Sequence, residues 1–540
     1  MMATARKMLV IGIDGATFNI INPLIEAGRL PNLQRLMEKG AHGPLRTIVP
    51  MVSPVAWTSF FTGMKPGNHK IFDFFSREPN SNNFRMSSAR DRGVLPIWSI
   101  LSKSDKKVCV SGVTWTYPPD EVNGTMVSGL GAPPESTKNF THPPELSQEI
   151  VKRFGPYQVI PKTGMGLESI RGKQAFLDEI FRLIEYRGQM SQFLMDQDDY
   201  DFTMCFFIDT DGVSHNYWEY IDPQLKDRKP EETQQFGEAI YNVYERVDKE
   251  VGGILAKAGE DTNVVLLSDH GFGPMRRILH LNNWLAQQGW VVFKKRSIWP
   301  FLMAKIRSKW AKIRGKSFAM QTDVFLDTID WSKTKAYFHG TTGTIFFNLK
   351  GREKEGIVPP DTYMALGKEI AAGLMELKDP DTGEKVVERV YTRDEVFTGE
   401  FMAISPDLLV TLNPHFGFAT REKPHREGEV PVITDADNWT GDHEIDGIFI
   451  GYGPDFKAGQ KVEGANIIDL APTILNLMQH PIPKNMDGKI LESALDETFL
   501  ANHKPEYSDP INPQDGSSGS VYSDDEDQQV KDTLKDLGYL

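Results

Sequence analysis

Side chains that could hold metal ions and attack phosphorus recur along this 540-residue chain, most of them where a short apolar run ends. The residues concerned are Asp14, Ser53, Asp211, His215, Asp269, His270 and His443. Carboxylates and imidazoles bind zinc and similar divalent cations, and a serine hydroxyl beside such ions can act as a nucleophile. Together these residue types predict a two-metal site for phosphoryl transfer.

The most specific motif is VVLLSDHGFGP, residues 264–274. Adjacent residues of a strand point to opposite faces, so Asp269 and His270 can share an ion only where the strand ends. Gly271 and Gly273 are expected to supply the turn at that point. The motif therefore predicts a pair of metal ligands at a strand end.

The segment FFIDTDGVSHNYW, residues 206–218, places Asp211 and His215 four positions apart, on one face of a helix. Asp209 is the competing carboxylate. Asp14 closes the first apolar run and His443 precedes a later one. Taken alone, these last two are equally typical of a turn aspartate and a loop histidine.

The candidate nucleophile is Ser53, which is followed by Pro54. This pair predicts a helix start with Ser53 as the N-cap and Pro54 as the first helical residue. Free N–H groups at such a start, together with the positive end of the helix dipole, favour a phosphate there. Thr58 and Ser59 lie deeper in the predicted helix and are weaker candidates.

The elements that must position these residues form an α/β pattern. Runs that are apolar on both faces are typical of strands covered by helices, and they occur at 8–13, 106–113, 203–208, 263–268 and 447–453. Helical stretches lie between them, which predicts a doubly wound, mostly parallel sheet. In such a sheet the carboxyl ends of the strands share one edge, where ligands bind.

The chain is long enough for a large domain with a smaller insertion. We predict a catalytic core in two parts with an inserted cap or lid, followed by a linker and a C-terminal helix. The boundaries are residues 1–280 and 431–502 for the core, 281–430 for the cap, and 503–540 for the linker and helix. The basic aromatic segment 294–316 is either a solvated helix face or a surface for a membrane or partner.

Composition and charge limit the partners. The net charge of −14 gives no global field that would attract a nucleic acid polymer or an anionic membrane, so an anionic substrate must be drawn by local cations such as metals. With the predicted phosphoryl-transfer site, the expected partner is a small phosphorylated substrate. The only cysteines, Cys109 and Cys205, lie in apolar runs, which is typical of buried thiols in a reducing compartment. No apolar run is long enough to span a membrane. We therefore expect a soluble, cytoplasmic protein; the sequence leaves its oligomeric state open.

Six segments occur in an order that carries a family resemblance. They are IDGAT, SPVAWTSFFTGMKPGNHKIFDF, DTDGVSH, LLSDHGFG, GDHEIDGIFI and NIIDLAPTILNLMQHPIPKNMDGKIL. Over about residues 8–492 the chain resembles the alkaline phosphatase superfamily, in particular its type I phosphodiesterase/nucleotide pyrophosphatase branch. The resemblance implies an alkaline-phosphatase-like fold.

The resemblance also implies a division of labour among the site residues. One divalent ion would be held by Asp14, Ser53, Asp269 and His270, and the other by Asp211, His215 and His443. Both ions would be zinc, with manganese as the alternative, and Ser53 would form a phospho-serine intermediate. Three further residues are predicted to bind substrate: His69 and Asp73 in the loop after the helix, and His339 in the cap.

Two departures from the family pattern affect the expected substrate. Characterised nucleotide pyrophosphatases have a threonine nucleophile and a later asparagine, where this chain has Ser53 and Asp73. The sulfatase motif, which needs an arginine four residues after the nucleophile, is absent here. We therefore expect a metal-dependent hydrolase of phosphodiester or pyrophosphate bonds. The alternatives are a phosphomonoesterase or phosphotransferase, and a non-catalytic metal-binding scaffold that recognises a phosphorylated partner.

The cap is expected to choose the substrate. It interrupts the chain between Asp269–His270 and His443, so it must begin and end near the metal ligands. Tyr337, Phe338 and His339 are predicted to contact the leaving group, and a lid of this kind also excludes water. We therefore predict that residues 336–344 of the cap set the substrate preference.

Overall fold

The computed structural model describes residues 6–134, 139–162, 166–294, 324–419, 431–437, 439–511 and 521–536. Most of the predicted basic aromatic segment lies outside these ranges, as does part of the predicted linker. The role of residues 294–316 therefore stays a prediction.

A ten-stranded sheet forms the centre of the molecule. Its strands lie in the order Gln460–Lys461, Ala41–Arg46, Asp446–Tyr452, Asn263–Leu267, Met8–Ile13, Phe202–Phe207, Val108–Val113, Gly124–Ser128 and Thr141–His142, with Ala465–Asn466 also paired to Ala41–Arg46. The pairs around Met8–Ile13 are parallel, with Ile13 opposite Phe207 and Gly12 opposite Leu267. The prediction of a mostly parallel α/β sheet is confirmed.

One predicted strand runs in the opposite direction to its neighbours. Asp446–Tyr452 pairs antiparallel with both Asn263–Leu267 and Ala41–Arg46, whereas its sequence predicted only a strand of a mostly parallel sheet. A run that is buried on both faces has the same composition in either direction, so its sequence does not encode the direction. As a consequence, the start of this strand lies at the edge where the parallel strands end.

Helices cover both faces of the sheet, which is why strands at its centre, such as Met8–Ile13 and Phe202–Phe207, are buried on both faces. Along the first strand, Met8 and Val10 pack into one hydrophobic layer, and Leu9 and Ile11 pack into the other. The helices are Phe18–Glu26, Pro31–Lys39, Ser53–Thr62, Pro66–His69, Ile97–Lys103, Leu146–Phe154, Ile170–Met195, Asp209–Tyr217, Pro230–Phe236, Ala239–Ala258, Leu281–Gln287, Val324–Thr328, Tyr363–Met375, Arg393–Val396, Leu470–Leu477, Glu497–Asn502 and Asp524–Asp536. No helix of the described ranges is long and apolar enough to cross a membrane.

The predicted cap region has a hydrophobic cluster of its own, made by residues between Leu279 and Ile433. Within it lies an antiparallel sheet with the strand order Ala336–Phe338, Thr344–Phe347, Leu408–Leu412 and Val387–Thr392. A second small sheet pairs Gly271–Leu279 with Gly441–Glu444, Ile433–Asp435 and His415–Phe418. The domain limits drawn from the sequence stay predictions.

The C-terminal helix Asp524–Asp536 packs against the core. Its Val530 and Leu534 are fully buried in the same hydrophobic cluster as one face of the sheet. Just before the helix, the Tyr522 ring stacks on Tyr117, and its hydroxyl donates to the Gly131 carbonyl at 3.0 Å. The spacing of apolar residues in the tail thus corresponds to one buried helical face.

Candidate active site

Three adjacent strands carry most of the candidate ligands to one edge of the sheet. Asp14 follows the strand Met8–Ile13, and Asp269 and His270 follow Asn263–Leu267. Asp211 and His215 lie on the helix Asp209–Tyr217, which begins after the third strand, Phe202–Phe207. Because parallel strands end at a common edge, these side chains converge there.

His443 reaches the same edge from the opposite direction. It lies in the short strand Gly441–Glu444, just before the antiparallel strand Asp446–Tyr452, and it pairs with Phe272 across the small sheet. The glycines expected to form the turn after Asp269–His270 lie in that ladder instead. A Cβ at Gly271 would lie 2.2 Å from the Asp446 carbonyl oxygen, so close pairing rather than a turn explains the glycine.

The first group of donors surrounds the Ser53 hydroxyl. Ser53 Oγ lies 3.4 Å from Asp14 Oδ1 and 3.5 Å from His270 Nε2. His270 Nε2 is also 3.5 Å from Asp14 Oδ1 and 3.3 Å from Asp269 Oδ2. All four residues are at most 2% exposed, so the group is held away from bulk water.

The second group centres on Asp211. Its Oδ1 lies 3.3 Å from His215 Nε2 and 3.4 Å from His443 Nε2, and those two nitrogens are 3.1 Å apart. The two groups adjoin, because His270 Nε2 is 4.0 Å from the same Asp211 oxygen. Asp211 therefore lies close to both groups of donors. The structure brings all seven residues of the predicted site together.

The three imidazoles are oriented in the same way. Their Nδ1 atoms lie 2.9 Å from the Gly441 carbonyl for His215, 2.8 Å from the Met51 carbonyl for His443 and 3.1 Å from the Gly271 carbonyl for His270. An Nδ1–H donated to a carbonyl leaves Nε2 as a lone-pair donor, the arrangement typical of metal-binding histidines. Each Nε2 faces the cluster, so the donor set fits divalent metal ions.

The protonation behaviour of the site fits the same conclusion. Burial, reinforced by the charges of Asp269 and Asp211, raises the pKa of Asp14 well above its usual range. Burial, with the charge of Asp211, raises the pKa of Asp269 to about 7. Asp269 Oδ2 is buried without a hydrogen-bond partner among the described residues. A bound divalent cation would favour the ionised carboxylates and occupy that oxygen.

Ser53 is the first residue of the helix Ser53–Thr62, and Val52 is the N-cap, so the prediction that Ser53 caps the helix is wrong. The Ser53 hydroxyl makes no capping hydrogen bond and is turned toward Asp14 instead. The amides of Val55 and Ala56 both donate to the Val52 carbonyl, and Pro54 has no amide hydrogen. Of the residues 53–56 in this first turn, Ser53 is the one whose amide N–H does not donate to the Val52 carbonyl and could bind a phosphate oxygen.

Neighbouring polar residues that competed in the sequence are engaged elsewhere. The Thr58 hydroxyl donates to the Pro54 carbonyl at 2.6 Å, and Ser59 Oγ lies 2.9 Å from His69 Nε2. Arg187 Nη1 donates to Asp209 Oδ1 at 2.7 Å, which holds that carboxylate by an ion pair with another helix. Thr58, Ser59 and Asp209 are therefore held by other contacts, whereas Ser53 and Asp211 lie in the donor cluster.

Several residues that support or border the cluster were missed in the sequence. Trp57 Nε1 donates to Asp14 Oδ2 at 3.1 Å, and the Gly15 amide donates to Asp269 Oδ1 at 3.3 Å. Asp442 is a further carboxylate with an oxygen within 4.8 Å of His215 and His443 donor atoms. Trp57 could have been noticed, because it lies one helical turn after Ser53 on the same face.

A cavity of about 380 Å³ opens beside the second group of ligands. Its wall includes His215, His443 and Met51 from the core and Thr341, Thr342, Tyr391, His415 and Phe416 from the predicted cap. Trp439 completes this wall and stacks on His215 with ring centroids 3.6 Å apart. The volume lies in the range of small-molecule sites, and the cap contributes a large part of its wall.

None of the three residues predicted to bind substrate lines this cavity. His69 is fully buried, its Nδ1 accepts from the Ile71 amide at 3.2 Å, and burial lowers its pKa to about 3. Asp73 accepts from the Thr341 amide at 3.2 Å. His339 stacks on Phe84 with ring centroids 3.8 Å apart. In this structure all three support the surroundings of the cavity rather than its wall.

The cap segment expected to contact the leaving group behaves in a similar way. Tyr337 and Phe338 belong to the hydrophobic cluster of the cap, because they lie in a strand whose side chains are all buried. The residues of this segment that reach the cavity are Thr341 and Thr342, in the turn after that strand. Tyr337 and Phe338 do not line this cavity, and their contact with a leaving group stays a prediction.

Comparison with known proteins gives a consistent result. The family model described as type I phosphodiesterase / nucleotide pyrophosphatase matches residues 8–445. No curated protein matches the sequence. Among solved structures, phosphonoacetate hydrolase from Sinorhizobium meliloti 1021 in complex with phosphonoformate superimposes with a TM-score of 0.51 at 15% identity, covering 87% of this chain and 94% of that one. The likeness shows a shared fold.

A second solved structure in the comparison is human ectonucleotide pyrophosphatase/phosphodiesterase 5. It has a TM-score of 0.47 at 13% identity, covering 91% of this chain and 100% of that one.

Proposed function

We propose that this chain, which belongs to the type I phosphodiesterase/nucleotide pyrophosphatase family, cleaves phosphodiester or pyrophosphate bonds of small substrates with Ser53 as nucleophile. The family identifies it as a phosphoric-ester hydrolase and as a metal-dependent enzyme. The observation that carries the finer proposal is the position of Ser53 Oγ, within 3.5 Å of both Asp14 and His270.

The proposed ligands follow the two groups of donors. Asp14, Ser53, Asp269 and His270 would hold one divalent ion, and Asp211, His215 and His443 the other. We propose zinc, with manganese as the alternative, because imidazole and carboxylate donors suit both. When bound, such ions stabilise the charge on the attacking and leaving oxygens of an in-line displacement.

The residues of the chain supply the covalent steps. Ser53 Oγ gives its proton to water and attacks phosphorus, so that an Oγ–P bond forms as the bond from phosphorus to the leaving oxygen breaks. The leaving oxygen takes up a proton from water in turn. Water then attacks the phospho-serine, releases phosphate or a phosphomonoester and restores the hydroxyl. The Ser53 amide and the start of its helix favour the negative charge of the phosphoryl group. The burial of the cluster excludes bulk water from this centre.

We also propose that the enzyme acts in the cytoplasm on a small phosphorylated substrate. Two observations support this proposal: Cys109 and Cys205 are free, buried thiols, and the cavity of about 380 Å³ suits a small molecule rather than a polymer.

The decisive experiment compares bis-p-nitrophenyl phosphate with p-nitrophenyl phosphate, using metal-free protein and protein loaded with zinc or with manganese. The proposal requires metal-dependent turnover of the diester and, after acid quenching, a mass increase on the peptide that contains Ser53. Thr58→Ala serves as the control for Ser53→Ala, because its hydroxyl lies in the same helix but is bonded to Pro54. Turnover of the monoester alone would favour a phosphomonoesterase, and no turnover of either ester would favour a scaffold.

A further inference from the structure

A four-residue turn of the cap, Gly340-Thr341-Thr342-Gly343, enters the wall of the active-site cavity. Both glycines have left-handed backbones, with φ of +110° and +59°. A Cβ at Gly340 would lie 2.5 Å from Asp73 Oδ2, and one at Gly343 would lie 2.3 Å from the Val410 carbonyl oxygen. The turn is therefore held closely between a core carboxylate and a cap strand, and it presents its two threonines to the cavity.

The two threonines differ in their hydrogen bonds. Thr341 is bound to Asp73 through its amide at 3.2 Å and its hydroxyl at 3.5 Å. The Thr342 hydroxyl is buried and has no hydrogen-bond partner among the described residues. Leaving a buried hydroxyl unpaired costs free energy, which a ligand would recover by supplying a partner. Thr342 also lines the cavity, so a ligand bound there lies beside the residue whose hydroxyl needs a partner.

Asp73 is well placed to control this turn but not to touch the substrate. It is 6% exposed, it is absent from the cavity wall, and its second oxygen, Oδ1, has no hydrogen-bond partner within the described part of the chain. It lies in the core part of the sequence, whereas the turn belongs to the predicted cap. A carboxylate from the core thus fixes the position of a cap segment relative to His215 and His443.

We infer that the Thr342 hydroxyl is a specificity-determining hydrogen-bond donor to an ester oxygen of the bound substrate, and that Asp73 is a positioning residue acting through the turn 340–343. The inference rests on the proposed function, because it needs a phosphoester bound at the metal ligands. The hydroxyl donates to the oxygens of the phosphoester that extend from the metal centre into the cavity. Thr342 therefore discriminates between esters, whereas the phosphoryl transfer itself depends on Ser53.

The first test replaces the hydroxyl while keeping the shape of the side chain. In zinc-loaded enzyme acting on bis-p-nitrophenyl phosphate, Thr342→Val should lower kcat/KM about tenfold, the usual effect of a lost hydrogen bond to a charged group. Thr342→Ser should restore most of the activity. Thr411→Val is the matched control, because Thr411 lines the same cavity but its hydroxyl is bonded to the Arg389 carbonyl at 3.4 Å. Wild-type kcat/KM in Thr342→Val, or an equal loss in Thr411→Val, would overturn the role of Thr342.

The second test is a double-mutant cycle. If Asp73 acts only through the turn, Asp73→Asn should lower kcat/KM in the wild-type background and have little further effect in the Thr342→Val background. Gly340→Ala, which pushes the turn away from Asp73, should show the same non-additivity and replaces Asp73→Asn if that variant does not fold. Independent losses that add would overturn the positioning role. Wild-type enzyme and Ser53→Ala are assayed in the same experiment. If the wild type turns over the ester and Ser53→Ala does not, the proposed function holds, and a failed cycle then counts only against the role of Asp73.

Discussion

The hydrogen bond from Trp57 to Asp14 offers a sharp test of the metal assignment. Trp57 Nε1 donates to Asp14 Oδ2 at 3.1 Å inside a site where Asp14 is fully buried. Trp57→Phe removes this donor and keeps an aromatic ring against Phe206, whose centroid is 4.8 Å away. A hydrogen bond to a charged group contributes about 1.5–3 kcal/mol. We therefore expect zinc affinity to fall roughly 10- to 100-fold, the usual effect of losing a partner of a metal ligand.

A second buried tryptophan provides the control. Trp98 Nε1 donates to Asp120 Oδ2 at 2.9 Å, and Asp120 is not part of the donor cluster. Trp98→Phe should therefore lower the free energy of unfolding to a similar extent and leave zinc affinity unchanged. Affinity is measured by competition with a chromophoric chelator, and stability by denaturant unfolding of the metal-free protein. Equal zinc affinities for Trp57→Phe and wild type would refute the assignment of Asp14 as a ligand.

Three further predictions concern the site and its surroundings. Protein prepared without chelator should contain about two divalent ions per chain, and Asp269→Ala or His270→Ala should lose much of one by elemental analysis; full occupancy in both variants would contradict the ligand set. Ser53→Ala should abolish turnover with little change in the free energy of unfolding, because Ser53 makes no capping hydrogen bond. As the control, Thr17→Ala removes a hydroxyl that accepts from the Asn19 amide and should lower the free energy of unfolding by about 1 kcal/mol. A comparable decrease in Ser53→Ala would contradict the helix start described above. Burial raises the pKa of Asp73 to about 6, so the folded state binds this proton more tightly than the unfolded state does. The proton therefore adds roughly 3 kcal/mol to the free energy of unfolding below about pH 4, and this contribution is lost as the pH rises through 6. Asp73→Asn should flatten this part of the pH profile in denaturant unfolding, and an unchanged profile would rule out Asp73 as its source.

The sequence by itself determined the strands and the chemistry at their ends. Five strands of the central sheet are short apolar runs, whereas Ala41–Arg46 alternates buried and less buried residues and carries no such run. A polar residue directly after an apolar run is a local signal that needs no knowledge of distant contacts. Asp14, Asp269 and His270 follow from this signal, Asp211 and His215 from their spacing of four residues, and Ser53 from the Ser-Pro pair at a helix start. The family resemblance supported His443 and divided the seven residues between two ions. All seven lie together in the structure.

Tertiary structure alone decided how the remaining parts are used. The strand Asp446–Tyr452 is antiparallel, and only this direction places the start of the strand, with His443, at the edge where Asp14 lies. Asp209 and Asp211 look alike in the sequence, but an arginine from another helix holds Asp209. Asp73 contacts a turn some 270 positions later in the chain. Such choices depend on pairings between distant segments, and local patterns of residues do not contain that information.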